Sequence, residues 1–224
     1  MFDKEPDKDK FSNHLILIAE NNTGYRNLMK IVSESYTKGL YYKPRVDYEL
    51  LEKHHEGIIA LSACLAGRVQ AHLLNGEYDK AKEEALRMEN IFGKGNFFIE
   101  MQNQGLSEEK RINPLLKRIS DETGIETVAT NDVHYVNRED AKAHDILLCI
   151  QTAASVDDDD RMSFPNDQFY LKSPEEMAEA FKEYPEAISN TVKFAERCNV
   201  EIDFGKLYLP EFYAPCGKDN FEYL

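Results

Sequence analysis

The chain has 224 residues, of which 42% are hydrophobic and 30% charged, a balance that excludes a disordered chain and suits one globular domain or a domain with an appendage. No apolar run approaches the roughly 20 residues that span a bilayer, and the acidic start is no signal peptide, so the four scattered cysteines (Cys64, Cys149, Cys198 and Cys216) read as reduced thiols of a cytoplasmic protein. The net charge of −14 repels a phosphate backbone, and strong DNA binding by this chain itself is not expected.

Residues 15–19 read as a buried strand. The helix that follows carries Tyr25, Leu28, Met29, Val32 and Tyr36 on one face and stops at Gly39. A short helix over residues 47–53 leads to a second strand, Ile58–Leu61. Tyr78, Ala81, Ala85, Met88 and Phe92 form one stripe of a helix. Gly93-Lys94-Gly95-Asn96 is then a turn, without the G-K-[ST] ending of a phosphate-cradling loop. Residues 97–101 make a third strand. Ser107 is placed to cap a helix bearing Ile112, Leu115, Leu116 and Ile119, and residues 126–130 make the fourth strand. Strands alternating with helices argue for α/β layering with mostly parallel strands.

After Thr152 the character changes. Asp157-Asp158-Asp159-Asp160 is a solvated loop, with a cation site the lesser alternative. Ser173-Pro174-Glu175-Glu176 starts a helix with Ser as N-cap, Pro at N1 and Glu at N3. Pro185 opens another, bearing Ala187, Ile188, Thr191, Val192, Ala195 and Cys198. The tail from Lys206 is irregular.

The chemistry concentrates after the fourth strand, in Val128-Ala129-Thr130-Asn131-Asp132-Val133-His134-Tyr135. In extended backbone Asp132 and His134 project to the same side, as two ligands of a zinc or manganese ion would. The bland alternative is a capping Asp beside a solvated His. Cys64 stands directly after the second strand, where functional side chains gather in α/β folds, although a free Cys is most often a small buried hydrophobe. Glu100 ends the third strand and either faces the site or is structural. His54 and His55 follow a helix, His72 lies on a helical surface, and His144 follows the D-x-H pair, in position to pack beneath it.

Several blocks resemble one family in its own order. His14-Leu15-Ile16-Leu17-Ile18-Ala19-Glu20-Asn21-Asn22-Thr23-Gly24-Tyr25 is similar to the H-L-x-L-L-A-x-N-x-x-G-Y segment of the PHP domain of bacterial DNA polymerase III alpha subunits. Gly39-Leu40-Tyr41-Tyr42-Lys43-Pro44-Arg45-Val46-Asp47, Leu61-Ser62-Ala63-Cys64-Leu65-Ala66-Gly67, the Asp132/His134 segment, Phe169-Tyr170-Leu171-Lys172-Ser173-Pro174-Glu175-Glu176-Met177 and Ala187-Ile188-Ser189-Asn190-Thr191-Val192 continue the likeness. The resemblance implies a divalent-metal site, zinc or manganese, with His14, Cys64, Asp132 and His134 as ligands. His14 opens a strand rather than ending it and rests on the resemblance alone.

The family's N-terminal H-x-H segment has no counterpart in residues 1–13, which hold no histidine. The chain thus reads as the C-terminal part of a PHP domain: an α/β fold, an incomplete PHP-type (βα) barrel lacking its first strands, followed by a small helical segment. Residues 1–155 would be the partial α/β domain, 156–205 the helical segment completing it, and 206–224 the start of the connection to a polymerase body. The family implies a role in DNA replication, structural and metal-binding, with 3′–5′ exonuclease activity where the site is complete. Its partners would be the rest of the polymerase chain and replicase subunits including a proofreading subunit, with DNA held by the parent protein and no membrane. A free-standing metal-dependent phosphoesterase and a non-catalytic interaction module are the alternatives. The parent would be a DNA-directed DNA polymerase. This chain alone is expected neither to extend a primer nor to degrade a 3′ end, to bind at most about one metal ion weakly, and either to self-associate through an exposed sheet edge or to be markedly less stable than a full-length PHP domain.

Overall fold

A computed structural model describes residues 12–209, 211–217 and 219–223. The expected start of the 1–155 unit, residues 1–11, lies outside the described residues, as do Pro210, Lys218 and Leu224 of the tail. Each apolar run read as a strand lies in one sheet: β1 (Ile16–Ala19), β2 (Ile58–Leu61), β3 (Phe97–Gln102) and β4 (Thr127–Thr130), hydrogen-bonded in the order β1-β2-β3-β4. β2, β3 and β4 run parallel. Parallel neighbours need a crossover, supplied by α3 (Arg68–Leu74) and α4 (Tyr78–Phe92) between β2 and β3, and by α5 (Ser107–Thr123) between β3 and β4. Among the described residues the sheet is open, not closed into a barrel, in keeping with a partial (βα) fold.

Alternation sorts the sheet's side chains onto two faces. Ile58, Ala60, Phe97, Ile99, Met101 and Ala129 join the larger core with Val69, Leu73, Ala81, Ala85, Met88, Phe92, Ile112, Leu116 and Ile119 from α3, α4 and α5. Ile59, Leu61, Phe98 and Val128 form a smaller cluster that meets Ile16, Ile18, Phe194 and Cys198. After β4 come a 3-10 turn (Arg138–Asp140), α6 (Ala141–Thr152), α7 (Pro174–Ala180) and α8 (Pro185–Arg197), then a second 3-10 turn (Pro215–Gly217) and a short α9 (Asn220–Tyr223). Phe181 and Ala187 enter the larger core, so the helical segment packs onto the sheet. Ser173 caps α7 as expected, accepting from Glu176 N at 3.2 Å while Glu176 Oε2 accepts from Ser173 N at 2.8 Å. No helix among the described residues is long and apolar enough to cross a membrane.

Three expectations are corrected. First, β1 is half-buried rather than buried, as the edge strand; it runs antiparallel to β2, with Ile16 opposite Leu61 and Ala19 opposite Ile58, in a sheet that is mostly parallel, as expected. Second, the apolar stripe of the first helix, α1 (Asn22–Thr37), faces outward: Tyr25, Met29, Val32 and Tyr36 are 39–60% exposed, whereas Gly24, Asn27, Ile31 and Ser35 are buried. Close approach is the reason. A Cβ on Gly24 would lie 1.7 Å from the Gly57 carbonyl oxygen, so the helix docks there by its glycine face, and Asn27 on that face donates to Glu56 O at 2.9 Å. Third, Ser107 is the first residue of α5, not its cap. The orphan amides before that helix are taken instead by Glu109 Oε2, which accepts from Gln104 N at 2.7 Å and Leu106 N at 3.1 Å.

Arg197, at the end of α8, ties the late helices to the start of the sheet. It donates to Glu20 Oε1 at 2.8 Å and to Gly95 O at 2.7 Å, and also to Asn96 Oδ1.

The Gly24 contact gives a direct test. Replacing Gly24 by Ala forces α1 away from the turn before β2 and should cost at least about 2 kcal/mol, the scale of an overpacked site. Gly205→Ala, whose nearest neighbour would be a side-chain oxygen at 3.5 Å, should leave the urea midpoint unchanged.

Candidate metal centre

Because β2, β3 and β4 are parallel, their C-terminal ends lie along one edge of the sheet; Cys64 and Asp132 follow the ends of β2 and β4, while Glu100, expected to end β3, lies two residues inside it, since the strand runs on to Gln102. Antiparallel β1 brings its beginning to the same edge. His14 N donates to Ala66 O at 3.0 Å, and residue 14 forms a parallel bridge with Gly67. The result is a side-chain contact between residues far apart in sequence: His14 Nδ1 lies 3.3 Å from Cys64 Sγ. The strand-end argument, which did not reach His14 in the sequence, reaches it through the reversed direction of β1.

A buried polar network fixes this edge. Gln70, in α3, donates through Nε2 to Ser62 Oγ at 2.7 Å, Ala63 O at 2.9 Å and Glu100 O at 3.2 Å, and Ser62 Oγ accepts from Glu100 N at 2.8 Å. Ala63 takes a left-handed backbone, φ 66°, a conformation that non-glycine residues rarely adopt and that is retained where surrounding structure demands it. Gly67 permits the turn: a Cβ there would sit 2.0 Å from Ser62 O. The strand ends and the Cys64 loop are therefore held by α3.

Glu100 is 1% exposed. Its Oε1 accepts from Thr130 Oγ1 at 2.5 Å and Gln102 Nε2 at 3.1 Å, while Oε2 has no hydrogen-bond partner. Burial pushes its carboxyl above the ordinary range, against the opposing pull of Thr130, Gln102, the Ala63 amide and His14. The Cys64 thiol is also raised, first by burial, with the Asp132 and Glu100 charges adding to it against backbone hydrogen bonding. Cys64, Glu100 and Glu109 line one small void of about 10 Å³.

Asp132 and His134 form a second pair, His134 Nδ1 lying 3.8 Å from Asp132 Oδ1 and 3.1 Å from the Asp132 carbonyl oxygen. The loop is seated by main-chain and amide contacts: His134 N donates to Phe169 O at 2.8 Å and Asn131 Nδ2 to Tyr170 O at 3.0 Å. Gln104, with its amide turned to satisfy both neighbours, donates to Glu109 and accepts from Asp132 N at 3.1 Å. The His134 ring packs among Phe164, Phe169 and His144, at centroid distances of 4.6, 5.6 and 5.7 Å. His144 thus supports His134, the position its spacing suggested. Phe164 was not singled out in the sequence, because nothing in its own neighbourhood marks it as part of a histidine pocket.

The four candidate ligands are brought together as two pairs. Among the described residues no three His, Cys, Asp or Glu side chains are arranged to hold a metal ion. The His14–Cys64 spacing does suit a shared ion: nitrogen and sulfur bonds of about 2.0 and 2.3 Å at a tetrahedral angle place the two donors about 3.5 Å apart. That pair, the unpartnered Glu100 oxygen and the field of Asp132 at Cys64 are the features that fit a cation. The other histidines take the ordinary roles expected of them. His54 ends α2 (Tyr48–Lys53), His55 Nδ1 lies 2.7 Å from Glu52 O, and His72 Nδ1 lies 2.8 Å from Glu77 Oε2. The acidic run 157–160 is exposed loop.

An open α/β sheet with its histidine, cysteine and aspartate at one edge is compatible with a PHP domain, and residues 2–104 match the PHP domain family. Most of the chain, moreover, aligns with one kind of protein. It is 51% identical over 202 residues to the DNA polymerase III subunit alpha of Treponema pallidum (strain Nichols), covering 90% of this chain and 17% of that protein. The corresponding figures are 44% over 213 residues for the subunit of Borreliella burgdorferi, with 95% and 18% covered, and 46% over 224 residues for that of Deinococcus radiodurans, with 97% and 17% covered. The resemblance read from the sequence is borne out: residues 2–104 match the PHP domain family, and most of the chain is similar to bacterial DNA polymerase III alpha subunits. The chain spans 17–18% of the length of these three relatives.

Glu100 yields a pH test. A carboxyl whose folded pKa is raised above its unfolded value carries no penalty below the ordinary carboxylate range and an increasing one as pH rises through and beyond it. Glu100→Gln should therefore gain Tm relative to the unaltered protein at pH 7.5, with the gain shrinking towards zero at pH 4. Thermal melts across that range check it; a gain independent of pH would show that folding leaves the Glu100 carboxyl unshifted.

Proposed function

We propose that this chain serves within a replicative DNA polymerase as the metal-binding, structural PHP domain of the alpha subunit, and that His14, Cys64, Asp132 and His134 are its metal-facing residues. The observation that carries the reading is the His14–Cys64 contact of 3.3 Å, made between loops fifty residues apart at the edge where Asp132 also lies. A divalent zinc or manganese ion, when bound, would polarise a phosphoryl oxygen and lower the pKa of a water. The chain's own residues supply the frame. Ser62 and Gln70 hold the Cys64 loop, Gln104 and Asn131 hold the Asp132 loop, and Phe164, Phe169 and His144 fix the His134 ring.

The packing of Phe181 and Ala187 into the main core supports 156–205 as completing the same domain as 1–155, with 206–224 leading away from it. In that reading the partners are the rest of the polymerase chain and other replicase subunits such as a proofreading subunit, the location is the cytoplasm, and primer extension belongs to the parent. The 3′–5′ exonuclease chemistry of a complete site is not expected from two separated ligand pairs. A free-standing phosphoesterase would need turnover from this chain alone.

Cobalt(II) titration tests the metal reading without relying on activity. Binding should produce a thiolate-to-cobalt absorption band that Cys64→Ser abolishes and His14→Ala weakens; no band, or one indifferent to Cys64→Ser, would remove these residues from the site. A nuclease assay on single-stranded DNA with manganese or zinc should show no turnover above an Asp132→Asn/His134→Ala variant. Turnover lost in that variant would establish catalysis by this chain and favour the phosphoesterase.

A further inference from the structure

We propose that the loop after α1 is a contact site for single-stranded nucleic acid, with Tyr42 as the stacking platform and Lys38, Lys43 and Lys53 as phosphate partners. The metal reading plays no part in it; the polymerase reading only guides the choice of probe.

The loop is built to present one ring. At its base Gly39 packs on residue 45 so closely that a Cβ would lie 2.1 Å from Arg45 O. Near its tip Tyr41 and Lys43 exchange two main-chain hydrogen bonds, Lys43 N to Tyr41 O at 2.7 Å and Tyr41 N to Lys43 O at 3.1 Å. Between them Tyr42 adopts φ 58°, a left-handed backbone that is costly for a bulky aromatic residue. Its side chain is nevertheless 80% exposed, so no burial offsets that cost. The Tyr41 ring meets it edge-on at 4.7 Å, and Tyr36 and Leu40 beside the loop are 60% and 53% exposed.

The charge around this ring is opposite to that of the whole chain. Residues 36–46 hold Lys38, Lys43 and Arg45 and no acid, in a chain of net charge −14. The nearest acid on α1, Glu34, is engaged by Lys38 at 2.7 Å, Lys53 at 3.8 Å and His54 at 3.7 Å. Lys38 and Lys53 remain 66% and 64% exposed.

An exposed aromatic ring with lysines in the same segment is the combination that binds unpaired bases and their phosphates without sequence preference. A surface that is acidic elsewhere makes such binding weak and steeply dependent on salt, which agrees with the low overall DNA affinity that −14 implies.

The test is fluorescence anisotropy of a labelled oligodeoxythymidylate with the 224-residue chain in excess EDTA, at low and at physiological salt. The chain should bind at low salt, with log K falling at a slope of about −2 against log salt for three phosphate contacts. Tyr42→Phe should retain binding, whereas Tyr42→Asn, which tolerates the left-handed backbone, should lose at least about fivefold. Lys43→Glu should lose as much or more. Absence of binding at low salt, or equal binding by Tyr42→Asn, overturns the proposal. Equal affinity for poly-glutamate with indifference to Tyr42→Asn also overturns it, and gives the patch to an acidic protein surface.

Discussion

The candidate site depends on the direction of one strand. β1 runs against β2, with Ile16 opposite Leu61, while β2, β3 and β4 run together. A parallel β1 would carry His14 to the opposite edge, about four residues or some 13 Å away. Reversal places the residue before β1 beside the residues after β2, and the His14–Cys64 contact follows from that register.

Around that constraint the polar interior acts as a frame. Gln70 is 2% exposed and spends all its donor capacity on the ends of β2 and β3. Such a network is costly if half satisfied and rigid if complete. Here it is complete in its donors but leaves Gln70 Oε1 and Glu100 Oε2 without partners. Burial raises both the Cys64 thiol and the Glu100 carboxyl, and the charges of Asp132 and Glu100 add to the shift of the thiol. An added positive charge would relieve both. That is the electrostatic case for a cation near this edge, and it is independent of any family likeness.

The acidic chain also divides its labour in space. Its overall charge discourages phosphate, while the loop at Tyr42 concentrates basic and aromatic groups and leaves them uncovered. The exposed stripe of α1, Tyr25, Met29, Val32 and Tyr36, leads towards that loop along one helix face. The outward stripe follows from the Gly24–Gly57 approach, which docks α1 by the face of Gly24, Asn27, Ile31 and Ser35.

Much of the fold was legible in order and type. Apolar runs and 3.6-residue stripes located the four strands of the described residues and the helices α4, α5 and α8, because these helices bury an apolar face in the core. Ser173 and Pro174 announced α7 because capping is local chemistry between neighbours in sequence. The Asp132–His134 pair was equally local, two residues on one short segment. What the sequence could not decide was everything set by contact between distant segments. Strand direction was one, since β1 carries the same apolar pattern whichever way it runs. The buried side of α1 was another: periodicity identifies the apolar face and assumes it lies inside, but a glycine–carbonyl approach outweighed it. Whether Cys64 met His14 or remained a small core residue was a third. Residue types and local spacing were fixed by the chain itself, whereas strand direction, docking face and the pairing of ligands were decided only when backbone sterics and burial were satisfied together in three dimensions.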